Sequence, residues 1–154
     1  MKVRNAVLTL VVLFFGLTVC FASNPSLGTW KLDEAKSKLA PGSPKNIKVV
    51  YEAAGNDVKC TIDGVDPQGK PTHSEWTGKF DGKDYPVTGD PTSDMRAIKQ
   101  IDERNYELTI KKDGKVRITG RAVISADGKT RTVTVSGTNA EGKKGVNTSV
   151  YEKQ

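Results

Sequence analysis

The chain has 154 residues, a formal net charge of +6 and a hydrophobic content of 36%. This length corresponds to one domain, and the single histidine, His73, excludes a histidine-rich metal centre. Positive and negative side chains are interspersed without a basic block, as in "KKDGKVR" and "DERNYE". That pattern is typical of a solvated surface, and an anionic partner such as nucleic acid or a membrane is the less favoured alternative.

The first 22 residues have the pattern of a secretory signal peptide. Lys2 and Arg4 give a positive start, residues 6–22 form an uncharged apolar run, and Ala22 offers a small residue before cleavage at Ser23. The run is too short for a comfortable membrane span. We therefore expect a signal peptide over residues 1–22, a single domain over residues 23–154, and a periplasmic or secreted protein. Cleavage removes only two positive charges, so the net charge falls from +6 to +4.

The two cysteines have different predicted fates. Leu17-Thr-Val-Cys20 is close to a bacterial lipoprotein box, but Val19 stands where a small residue is preferred, so we do not expect a lipid anchor at Cys20. After cleavage Cys60 is the only cysteine, and no intrachain disulfide can form. Cys60 stands between Val58 and Ile62 in a run of alternating residues and shares their face of the strand, which predicts a core side chain. A reactive thiol is the alternative.

Beyond the leader, apolar residues recur at every second position and are separated by short turns such as "AGND" and "ADGK". This pattern predicts antiparallel strands with one buried and one solvated face, joined by hairpin turns. Only residues 33–39 have a helical composition, limited by Pro41 and Pro44. The predicted strands lie near 27–32, 45–53, 57–65, 70–79, 83–88, 94–101, 105–112, 115–125, 130–138 and 145–152.

A meander of so many strands needs to remove its two open edges. Closing into an up-and-down barrel removes both of them. We therefore predict an all-β fold in which an antiparallel meander of about 8–10 strands closes into a β-barrel. A two-sheet sandwich is the alternative, but it usually needs longer crossing connections than these turns provide.

The two ends of the predicted domain resemble those of a known family. Gly28-Thr-Trp30-Lys-Leu32 is similar to the Gly-x-Trp start of the calycins, the group of lipocalins and fatty-acid-binding proteins, and residues 146–153 resemble their last strand. The resemblance implies a lipocalin-like barrel in which Gly28 bends the first strand and Trp30 plugs one end. It also implies a ligand role for Tyr151, although Ser149 stands where fatty-acid-binding proteins often carry an arginine, and residues 33–44 are too few for their two lid helices.

The sequence offers little for catalysis. Ser74 follows His73 directly on a predicted strand, so their side chains face opposite sides and cannot act as nucleophile and base. The chain also lacks a Gly-x-Ser-x-Gly elbow, and no glycine-rich loop leads into a helix that could hold phosphate. We predict a protein that is not an enzyme, with no cofactor and no metal site, and with His73 as a surface residue.

Residues 73–96 are unusually rich in aromatic side chains, with Trp76, Phe80 and Tyr85 close together. Three interpretations stay open: the aromatic side chains fill a narrow barrel, line a small-ligand cavity, or form an exposed contact surface. Arg96 or Arg121 could supply a cation for an anionic ligand, but Arg121 alternates away from the apolar set of its strand and is expected outside.

These observations favour an exported, non-enzymatic barrel that binds a small, partly apolar or amphipathic molecule, with Trp76, Tyr85 and Tyr151 as cavity contacts and Trp30 as the plug. The alternative is a filled barrel that interacts with a protein, such as an inhibitor of a secreted hydrolase that inserts residues 23–26 into its target. An enzyme using His73 is the third hypothesis. No nucleic-acid partner is expected, because nucleic acid is not the usual partner outside the cytoplasm.

Overall fold

The computed structural model describes residues 24–138 and 144–154. The predicted signal peptide, Cys20 and Ser23 lie outside the described residues. Within them the structure has no helix of the length and apolarity that a membrane crossing requires. The ten strands are β1 (Gly28–Lys38), β2 (Lys45–Ala54), β3 (Asp57–Val65), β4 (Pro71–Gly78), β5 (Asp81–Thr88), β6 (Met95–Gln100), β7 (Asn105–Lys112), β8 (Lys115–Ile124), β9 (Thr130–Thr138) and β10 (Lys144–Lys153).

The strands form one closed antiparallel barrel. Each strand pairs with its neighbours in the chain, and β1 also pairs with β10, through Trp30 opposite Lys153 and Leu32 opposite Tyr151. The prediction of an all-β, up-and-down barrel is therefore confirmed, and the sandwich alternative is wrong. Closure gives every strand two partners, so the sheet has no free edge.

The predicted helix over residues 33–39 is wrong, because β1 continues as a strand to Lys38. The register against β10 shifts between Asp33, which pairs with Val150, and Lys38, which pairs with Thr148. Inside this bulge Ser37 Oγ donates to the Asp33 carbonyl at 2.7 Å. The segment with helical composition is thus a bulged part of a strand, because pairing with a distant strand overrides local propensity.

The inward faces of the strands form one core. Cys60 has no exposed surface, which confirms the prediction that it is a core side chain. Trp30 and Trp76 are 0% and 1% exposed, so neither belongs to a contact surface. The other buried apolar side chains are Val49, Tyr51, Ile62, Val87, Ile98, Tyr106, Ala122, Ile124 and Tyr151.

The barrel is least continuous between β4 and β5. These strands pair through only two residue pairs, Glu75 with Thr88 and Trp76 with Val87. Beside this contact the Tyr85 ring lies so close to Gly78 that a Cβ there would be 2.4 Å from Tyr85 Cγ. A glycine at position 78 is therefore what lets the aromatic ring cover the gap in the sheet.

One end of the barrel is closed by residues 24–27, which we call the floor segment. Its Ser26 carbonyl accepts a hydrogen bond from Trp30 Nε1 at 2.8 Å, and its Asn24 Oδ1 accepts one from the Tyr106 hydroxyl at 3.2 Å. Gly28 then turns the chain into β1 with a φ of +117°, a conformation that favours glycine. Trp30 is thus held at this end of the barrel by its indole N–H.

Candidate ligand cavity

The barrel interior contains a cavity of about 90 Å³. Most of its wall is aliphatic, and Trp30, Tyr51 and Tyr151 add aromatic surface. The aliphatic lining comes from Val49, Ile62, Ile98, Leu108, Ile110 and Val133, together with Val135. Such a wall is typical of a small-molecule site, in which a few polar groups set the orientation of the ligand.

Two arginines are the charged groups of this wall. Arg96 of β6 and Arg131 of β9 are only 8% and 5% exposed, which is unusual for arginine side chains. Arg131 Nη2 donates a hydrogen bond to the Tyr51 hydroxyl at 2.9 Å. Its guanidinium carbon lies 4.5 Å from the centroid of the Tyr51 ring, a cation–π distance. Tyr51 therefore positions the Arg131 guanidinium at the cavity.

Neither arginine forms an ion pair in the part of the chain that the structure describes. The ion pairs found there do not include Arg96 or Arg131. Arg96 Nε and Arg131 Nη1 are buried and have no hydrogen-bond partner among these residues. A buried cation with unpaired N–H groups is costly, and an anion beside the two guanidinium groups would lower that cost.

The nearby hydroxyl groups are held in their neutral form. Burial raises the pKa of Tyr51 well above its ordinary value, although the charges of Arg131 and Arg96 oppose this shift. Burial also raises the pKa of Tyr151, again against the charge of Arg131. Both tyrosines consequently keep their O–H groups at neutral pH. The site combines two cations with neutral hydroxyls and offers hydrogen-bond donors to an anion.

The Asp90 carboxylate interacts electrostatically with Arg96. Burial opposes ionisation of Asp90, but hydrogen bonds from Ser93 and Thr92 and the charge of Arg96 hold its pKa below the ordinary value. Asp90 does not line the cavity, and its oxygens accept hydrogen bonds from its own loop, including one from Ser93 Oγ at 2.6 Å. Asp90 therefore moderates the positive potential without occupying the site.

The structure brings together two of the four residues predicted to contact a ligand. Trp30 and Tyr151 line the cavity, whereas Trp76 and Tyr85 do not. Trp76 Nε1 donates to the Arg96 carbonyl at 3.0 Å, and Tyr85 packs edge-on against Trp76 with ring centroids 6.0 Å apart. The aromatic side chains of residues 73–96 thus pack together beside the β4–β5 contact. This arrangement corresponds to the first of the three interpretations, in which they fill a narrow barrel.

The two candidate cations lie on opposite faces of the barrel wall, and the outward position of Arg121 is the one that alternation predicted. Arg96 faces the interior, and Arg121 faces outward, with 71% of its side chain exposed and an ion pair to Glu107 at 3.0 Å. Arg131 was not predicted. Its signal is the alternation of Arg131 with Val133 and Val135, which gives it the same face as two apolar residues.

His73 lies on the outer face, as predicted. It is exposed, and its Nδ1 is 2.6 Å from Asp63 Oδ1. Across residues 24–138 and 144–154, no group of three or more His, Cys, Asp or Glu side chains has an arrangement that could hold a metal ion. His73 thus lies on the barrel surface beside the carboxylates of Asp63 and Glu75.

Comparison with known proteins finds no family model that matches the chain and no curated protein with significant sequence similarity to it. The fold and the site themselves define the class of protein: a closed antiparallel ten-stranded β-barrel with a cationic internal cavity. This architecture is compatible with a calycin-like barrel.

Proposed function

We propose that this protein is an exported, non-enzymatic, lipocalin-like barrel that binds a small, partly apolar molecule carrying a negative charge. The observation that carries the proposal is the pair of buried arginines, Arg96 and Arg131, with unpaired N–H groups at a cavity whose wall is otherwise mostly apolar. An anionic group would occupy the cationic side, and the apolar part of the ligand would contact the aliphatic wall.

The energetics support this assignment. A buried donor without a partner costs about 1–3 kcal/mol. Arg96 Nε and Arg131 Nη1 are two such donors. Hydrogen bonds from guanidinium to carboxylate are charge-assisted and among the stronger ones in proteins. An anionic ligand would pair these donors and remove their cost. The same groups therefore destabilise the ligand-free barrel and favour the bound state.

The test is titration of the purified protein with butyrate and with its uncharged amide, followed by calorimetry or by tryptophan fluorescence, because Trp30 lines the cavity. We expect the acid to bind and the amide to bind at least ten-fold more weakly. Arg131→Met should weaken binding of the acid by at least ten-fold, since it removes one cation from the cavity.

Arg121→Met is the matched control, because Arg121 lies on the outer face and is mostly exposed. It should bind the acid like the unmodified protein. Equal binding of acid and amide, or an Arg131→Met variant that binds as well as the Arg121→Met variant, would show that the arginines do not select an anion.

The inhibitor alternative has less support. It requires residues 23–26 to be free to enter a target, but Pro25 and Ser26 accept hydrogen bonds from Lys153 and Trp30 at 3.1 and 2.8 Å. Their engagement with the barrel leaves this segment little to offer a partner. Export is proposed from the leader pattern of residues 1–22, and N-terminal sequencing of the protein purified from its host would then begin at Ser23.

A further inference from the structure

The size of the cavity limits the ligand. Its volume of about 90 Å³ is well below the roughly 150 Å³ of an apolar cavity that takes up benzene, a molecule of six heavy atoms. The space therefore suits a compact molecule of at most about six heavy atoms, the number in butyrate with its four carbons and two oxygens. A long-chain lipid does not fit within it.

The barrel is filled on the side of the aromatic cluster, so the cavity does not continue there. Phe80 contacts Tyr51, Trp76 and Tyr106, with ring centroids 6.2, 6.2 and 5.2 Å apart. Asn46, in contrast, lines the cavity and is itself exposed, so it marks a place where the cavity approaches solvent. A tail longer than the cavity would have to leave past such a residue and stay in water, where added methylene groups gain nothing.

The chemistry of the wall selects one kind of anion. Arg96 and Arg131 provide the unpaired donors, whereas Ile62, Ile110 and Val133 present aliphatic surface. An inorganic oxoanion exposes acceptor oxygens in every direction and would leave some of them against that surface. A carboxylate with a short hydrocarbon tail has one charged end and one apolar end, as the cavity has.

We infer that the barrel binds short-chain monocarboxylates of about two to four carbons, that longer chains add no affinity, and that inorganic oxoanions bind more weakly. This inference rests on the proposed function and adds a size limit and a class of anion to it. Because a ligand of so few atoms has a limited maximum affinity, the dissociation constant is expected to be about micromolar or weaker.

The test measures dissociation constants for straight-chain acids from acetate to dodecanoate, with butyramide and inorganic phosphate alongside. A buried methylene improves affinity about four-fold. We expect that gain from acetate to butyrate, no further gain from hexanoate onward, and phosphate binding at least ten-fold weaker than butyrate.

Each other result has a separate meaning. A steady gain through octanoate and dodecanoate would overturn the size limit and leave the proposed function standing. Phosphate binding as tightly as butyrate would overturn the carboxylate class. Failure of every acid to bind, or equal binding of butyramide, would overturn the proposed function itself.

A conservative variant tests the location of the limit. Val133→Leu adds one methylene to the cavity wall, so affinity should stop rising at propionate instead of at butyrate. Val123→Leu is the matched control, because Val123 is 43% exposed on the neighbouring strand β8. It should leave the chain-length profile unchanged. A profile that is identical in both variants would show that this cavity does not set the limit.

Discussion

Arg96 occupies a position in which an apolar side chain would suit the folded state better. It is buried on β6, directly before the buried Ala97 and Ile98, and its Nε has no partner among the described residues. The neighbouring Arg131 adds a second positive charge to the same cavity wall. Under the proposed function, the two cations would contribute to ligand binding at the expense of stability.

We predict that Arg96→Met stabilises the ligand-free protein by about 1 kcal/mol, because it replaces an unpaired buried donor with an apolar side chain of similar length. The free energy of unfolding from urea titration measures this effect. Arg121→Met, on the outer face, should change it by less than about 0.5 kcal/mol. A loss of stability in the Arg96 variant would mean that its guanidinium has a structural partner.

The residues of the site could be predicted from sequence only where a motif or an unusual composition pointed to them. The resemblance drew attention to Trp30 and Tyr151, and alternation placed Arg121 on the outer face. Arg131 lies in a strand rich in Thr and Val, with no motif around it. The packing of Trp76 in the core could not be predicted either. Alternation indicates which side chains point inward, but not whether they fill the barrel or leave a cavity between them.

At the scale of elements, regular alternation was enough to locate all ten strands, because each strand has one buried face. The segment Asp33–Lys38 was the exception. Its conformation depends on pairing with Thr148 and Val150 of β10, which lie more than a hundred residues away in the chain. A local pattern has no information about such a partner, so its helical composition prevailed in the prediction.

The β4–β5 contact is the weakest element pairing in the barrel, and it should open most readily. Only Glu75–Thr88 and Trp76–Val87 join the two strands, whereas β2 and β3 pair from Lys45–Val65 to Ala54–Asp57. We expect amides of β4 that face β5 to exchange with deuterium at least ten-fold faster than amides of β3 that face β2. Equal protection, measured by mass spectrometry or NMR, would contradict this prediction.

At the scale of the whole molecule, the buried ionisable hydroxyl and thiol groups predict a loss of stability at alkaline pH. Burial raises the pKa of Cys60 above its ordinary value of 9.0 and that of Tyr151 above 10.0. Tyr51 shifts in the same direction for the same reason. As pH rises through the ordinary values, the unfolded chain loses protons that the folded chain keeps, so the free energy of unfolding falls.

The expected slope is about 1.4 kcal/mol per pH unit for each group that ionises only in the unfolded chain. Urea titrations at pH 7, 9 and 10.5 measure it. Cys60→Ala should remove the earliest part of the decline, near pH 9, and leave the later part due to the tyrosines. Stability that stays constant up to pH 10.5 would show that these groups ionise freely in the folded barrel.

The pairing of β1 with β10 also determines when the cavity can exist. Trp30 belongs to β1 and Tyr151 to β10, and both line the cavity. Contacts between segments so far apart in sequence carry the largest loop-closure entropy, so we expect them to form late in folding. A partly folded meander therefore has strands but no ligand site. Ligand binding would consequently distinguish the closed barrel from every open intermediate and would shift the folding equilibrium toward closure.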